Sequence, residues 1–150
     1  MFLKSWLNNP LLVRPIGVGK AVGLLFGLVG FVLLPVLAPG SGWLLRWGVL
    51  LWYMTLGALV AMACTLTRPP VSEPPMPWWL MAPGLGAWMN FVLTLFAYDA
   101  MKMVMVSMMG ENGIMQSPFW FVAEGAIVGL VIGYAVTRFG GQVAAEAADR

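Results

Sequence analysis

Four ionisable residues stand inside long apolar stretches of this sequence: Arg46, Asp99, Lys102 and Glu124. Charge in hydrocarbon is expensive, so such residues pair with one another, face a cavity, or carry ions and protons. Asp99 and Lys102 are three residues apart, a spacing at which two side chains of one helix touch. At ~1.5 Å of rise per residue, Arg46 falls about 5 Å inside its span, and Lys102 and Glu124 about 9 Å inside theirs. Two cations and two anions at similar depth can neutralise one another, which removes most of the cost of leaving water. One reading is an ion or proton site, with Asp99 or Glu124 as the titrating carboxylate and Lys102 as the charge that tunes it. The other is a structural ion-pair network that fixes helix register, with Arg46 and Lys102 reaching toward headgroups. The structural reading is preferred because the four charges can pair completely, and no second acidic layer leads toward the cytoplasmic side.

Asn90, Thr94, Tyr98 and Lys102 follow one another at four-residue steps. On a helix they form one polar stripe, which must meet protein or water rather than lipid. Interhelical hydrogen bonds are the commoner use of such a stripe, and a narrow aqueous pathway is the alternative. Met101, Met105 and Met108 share a neighbouring helical face, and thioethers bind Cu(I). No histidine or second cysteine completes a copper set, so adaptable packing is the preferred role for these methionines.

Other chemistries are excluded by composition. Histidine is absent and Cys64 is the single cysteine. An intrachain disulfide and the usual zinc, haem, Cys–His and Ser–His–Asp arrangements are therefore out of reach. We expect no enzyme and no cofactor. The formal charge of +2, without a basic run interleaved with aromatics, also argues against nucleic acid as a partner.

The elements that must position these residues are set by hydropathy. Of 150 residues, 61% are hydrophobic and 9% charged, against about 25% charged in soluble domains. A span needs roughly 20 mainly apolar residues, and four segments qualify: 18–37, 43–66, 84–108 and 119–138. The fold class is accordingly all-α, a polytopic four-transmembrane-helix bundle. A short interfacial segment (Phe2, Leu3, Trp6 and Leu7 with Lys4) precedes the first span. The start of the chain has signal-peptide character, but Pro39 after the would-be site is a poor cleavage context, so it reads as an uncleaved anchor. Residues 67–77 form a Pro-rich connector, extended and stiff. Residues 140–150 form a polar tail. Trp43, Trp78, Trp79 and Trp120 fall at span ends, as interfacial aromatics do.

Lys4, Arg14, Lys20, Arg68, Arg138 and Arg150 all fall on one side of a four-span chain. Positive-inside bias then puts both termini and the connector in the cytoplasm of a bacterial-type inner membrane. Ala38-Pro39-Gly40 before the second span and Ala82-Pro83-Gly84 before the third hint at an inverted repeat, although helix-entry grammar alone explains both.

The strongest pattern is a pair of glycine ladders: Gly19, Gly23 and Gly27 in the first span, and Gly125, Gly129 and Gly133 in the fourth. Bare backbone at four-residue spacing lets a second helix approach closely within lipid. The two ladders could face each other, or each could mate with another copy or another subunit. The leading expectation is a small structural or accessory subunit, associating through these glycine-ladder faces with its own copies or with a larger inner-membrane complex. The alternative is a small oligomeric transporter or channel. Its candidate polar site is Arg46, Asn90, Thr94, Tyr98, Asp99, Lys102 and Glu124.

Overall fold

A computed structural model describes residues 10–66, 76–110 and 116–140. Among them every element is helical: α1 (Pro10–Leu37), α2 (Trp43–Leu66), α3 (Trp78–Phe96), α4 (Tyr98–Met109) and α5 (Trp120–Ala135), the last continued by a π-helical turn, Val136–Gly140. Four of the helices are long and apolar enough to cross a membrane. The N-terminal interfacial segment, most of the Pro-rich connector and the polar tail lie outside the described residues.

The second span has the expected bounds, but the first and third differ. α1 starts at Pro10, about two turns before Val18, and carries Pro15 and Pro35 inside it. α3 starts at Trp78, about two turns before Gly84, and carries Pro83 inside it. The reason is shared. Proline is well suited to the first helical position, as at Pro10. A proline further in removes one hydrogen bond, which a membrane helix tolerates when its neighbours hold it. The third span also ends sooner than residue 108. The helix breaks at Ala97 (φ −116°, ψ 33°), whose N–H still bonds the Leu93 carbonyl. α4 is thus a separate helix of 12 residues with Asp99 in its first turn, where a carboxylate meets the positive end of the helix dipole.

The most extensive contacts join α1 to α2 and α3 to α5. Both pairs are antiparallel, and both are built on backbone contact at glycine. A methyl added at Gly19 would strike the Gly57 carbonyl, and one at Gly23 the Tyr53 carbonyl. One added at Gly27 would sit 2.7 Å from the Leu50 carbonyl oxygen. On α5 the same holds at Gly125 against the Gly86 carbonyl, at Gly129 against the Ala82 carbonyl, and at Gly133 against the Ala82 Cβ. The two ladders therefore do not face each other. Each is filled by the helix next to it in its own pair, because Gly57 and Gly86 supply the complementary bare backbone.

Those two glycines occupy equivalent places. Gly57 inserts between Gly19 and Gly23, and Gly86 between Gly125 and Gly129. The repeat suggested by Ala38-Pro39-Gly40 and Ala82-Pro83-Gly84 is different and does not describe the fold. The first motif lies at the turn before α2, whereas the second lies inside α3.

The α1–α2 pair packs on the α3–α5 pair across a core of Leu56, Val60, Ala61, Cys64, Ala82, Val128, Ile132 and Val136. This core fills the half of the bundle where α2 ends and α3 begins. Gly140 closes the same end, with Pro15 of α1 3.0 Å from where its Cβ would stand. At the opposite end Val104 of α4 packs on Leu34 and Ala38.

Candidate functional site

Above the apolar core lies a layer of four polar side chains drawn from three helices. Trp52 and Tyr53 come from the middle of α2, Asn90 from α3 and Glu124 from the second turn of α5. The Trp52 indole N–H donates to Asn90 Oδ1 at 3.0 Å. Asn90 Nδ2 donates to the Phe121 carbonyl at 2.8 Å and, at the limit of range, to the Tyr53 hydroxyl at 3.5 Å. The Tyr53 hydroxyl in turn donates to Glu124 Oε1 at 2.8 Å. Thr94 returns its hydroxyl to the Asn90 carbonyl at 2.8 Å and reaches the Pro118 carbonyl at 3.5 Å.

Asn90 and Thr94 are wholly buried, so their polar atoms depend on these partners. A buried amide without them would cost roughly 1–3 kcal/mol. Location follows from the glycine contacts. Asn90 lies beside Gly125, where α3 and α5 nearly touch, and Tyr53 lies where α2 meets Gly23. Close backbone packing therefore sets the side chains within hydrogen-bonding reach.

Three of the seven sequence-derived residues, Asn90, Thr94 and Glu124, meet in or beside this layer. The other four do not. The break at Ala97 redirects the chain, so the stripe Asn90–Thr94 does not continue through Tyr98 and Lys102. Tyr98 is 42% exposed and packs near Phe119, and Asp99 and Lys102 are exposed on α4. Arg46 stands apart on α2, with its guanidinium 6.0 Å from the Trp43 ring in a cluster with Trp47 and Phe31. Among the described residues no ion pair joins Arg46, Asp99, Lys102 and Glu124. In place of the four-charge network expected from depth alone stand hydrogen bonds among Trp52, Asn90 and Tyr53, of which one, from Tyr53, reaches a single carboxylate, Glu124.

Trp52 and Tyr53 are the functional residues that sequence reasoning missed. A signal was available: they lie near the middle of α2, too deep for the interfacial belt where Trp and Tyr usually sit. A tryptophan or tyrosine at that depth needs a hydrogen-bond partner.

Directly above the layer is a cavity of about 270 Å³. α1 supplies one wall, from Phe26 to Leu37. Met101, Val104 and Met108 of α4 cover it, and Tyr53 and Glu124 form the polar side, with Phe121 of α5 lining it as well. Most of the lining is aliphatic or aromatic, and Glu124 is its one carboxylate. Val29, Leu33 and Met108 line it and are themselves exposed, so its mouth opens sideways between α1 and α4. Met105 of the candidate copper trio is buried and is not among the lining residues, which splits Met101 and Met108 from it.

Comparisons with family models, curated proteins and solved structures returned no match.

Proposed function

We propose that the chain is a small structural or accessory subunit of a bacterial-type inner-membrane assembly, non-enzymatic, with both termini in the cytoplasm. The observation that carries this reading is how the polar side chains are used. Asn90, Trp52 and Tyr53 are spent on bonds between helices of the same chain, and Thr94 bonds the Asn90 carbonyl of its own helix. Among the described residues no buried polar side chain continues from them through the apolar core below. A bundle whose buried polar groups bond within it is suited to supporting neighbours rather than to conducting. The glycine ladders, filled from within, serve the fold. Association with a partner, or with further copies, then falls to other faces, such as the outward row Leu25, Val29, Val32 and Val36 on α1.

Orientation is supported by Arg14, Lys20 and Arg138, all exposed toward the end where Gly140 meets Pro15. Positive residues concentrate on the cytoplasmic side of membrane proteins. Purification in mild detergent followed by native mass spectrometry tests the reading. A defined oligomer, or retention of other membrane subunits, is the expected result. A bare monomer under every gentle condition would overturn it.

A second reading, a small oligomeric transporter, is favoured by the cavity that ends at Glu124. It requires flux in reconstituted vesicles that Glu124→Gln abolishes. Flux retained in that variant would remove Glu124 from the pathway.

A further inference from the structure

Glu124 has one hydrogen bond where a carboxylate can accept several. Oε1 accepts from Tyr53 at 2.8 Å, and Oε2 has no partner among the described residues. The carboxylate lines a cavity that is otherwise apolar apart from the Tyr53 hydroxyl, and no lysine or arginine is among its lining residues. Glu124 is exposed at this face. On a helix that spans a bilayer an acceptor left this bare toward hydrocarbon is costly, and a group that brings its own N–H donors and positive charge removes the cost. Phe26, Tyr53 and Phe121 line the same space, and aromatic faces attract cations. The cavity's shape adds a second requirement, an apolar body. About 270 Å³ at ~30 Å³ for each water-sized group holds a chain of on the order of nine methylenes. Its mouth between Val29, Leu33 and Met108 opens where a molecule dissolved in the bilayer would arrive.

We propose that this cavity is a binding site for a lipophilic primary amine, its ammonium on Glu124 Oε2 and its alkyl chain along Phe26, Leu33 and Val104. This goes beyond the accessory role and does not depend on it. A bundle that supports neighbours and one that stands alone would bind the amine alike.

The full chain in phosphatidylcholine nanodiscs, titrated with decylamine and with decanol against empty nanodiscs, tests the proposal. Intrinsic tryptophan fluorescence, to which Trp52 beside the site contributes, gives one readout, and native mass spectrometry gives the stoichiometry. Decylamine is expected to bind one to one and at least about tenfold more tightly than decanol, as a charge-assisted hydrogen bond provides. Glu124→Gln keeps the size of the side chain and its bond from Tyr53, and should bring the two ligands within about twofold of each other. Leu33→Trp, at the exposed rim, should weaken both. Equal binding of amine and alcohol by the unaltered protein would overturn the proposal, whether or not the variants fold. A preference for the amine that survives Glu124→Gln would overturn it equally.

Discussion

At the scale of single residues, Asn90 carries the most. It joins three elements at once, accepting from Trp52 of α2 and donating to the Phe121 carbonyl of α5 from its own place on α3. Membrane hydrogen bonds average only about 0.6 kcal/mol each, because the unfolded state in lipid also finds partners. The loss at Asn90 is larger, since truncation also leaves a part-buried indole N–H unpaired. Asn90→Ala should therefore cost about 1–3 kcal/mol in reversible denaturation, with a change in Trp52 emission. Tyr53→Phe removes one donor and should cost about 0.5–1.5 kcal/mol. Asp99 and Lys102 offer the contrast. Both are exposed on α4, so Asp99→Asn and Lys102→Met should leave the Tm within scatter. A large drop from either would restore the ion-pair network that depth alone suggested. Residue identity made the charges easy to find and their pairing impossible to read, because pairing depends on a break at Ala97 that no proline or glycine marks.

At the scale of elements, glycine contact decides which helices are partners. Two glycines of α2 make the point. Gly57 is pressed against Gly19, while Gly48 has open space where its Cβ would be. Gly57→Ala should lower the Tm by several degrees, since backbone cannot yield to the added methyl. Gly48→Ala should be neutral or raise stability by about 0.5–1 kcal/mol, the usual gain for removing glycine from a helix interior. If thermal melts put the two variants level, the close approach of α1 and α2 is wrong. Gly86→Ala and Gly84→Ala repeat the comparison on α3, where Gly86 meets Gly125 and Gly84 meets nothing. The ladders on α1 and α5 were legible as close-packing faces because three glycines recur at strict spacing. Their partners were not, because Gly57 and Gly86 are single contact points. A lone glycine in a span carries no periodic signal.

For the whole molecule, the number of spans, their apolar character and the tryptophans at helix starts were all readable from hydropathy and residue type. The order of pairing was not. Hydropathy says that four helices share a membrane and nothing about which two touch. That choice comes from side-chain size at single positions. Its outcome is two antiparallel pairs, each made of consecutive spans. The bonds from Trp52 to Asn90 and from Tyr53 to Glu124 both run across the boundary between the pairs. They share that boundary with an apolar core, and within a bilayer burial of such a core supplies packing but little hydrophobic drive. Two fragments, 1–70 and 71–150, should thus each insert as a helical pair and find one another when produced together. An affinity tag on one half should recover the other. The double variant Asn90→Ala, Tyr53→Phe should recover markedly less, while each half keeps its own helical circular dichroism. Halves that never co-purify would place the main cohesion within a continuous chain. Recovery unaffected by the double variant would assign cohesion between the pairs to shape alone.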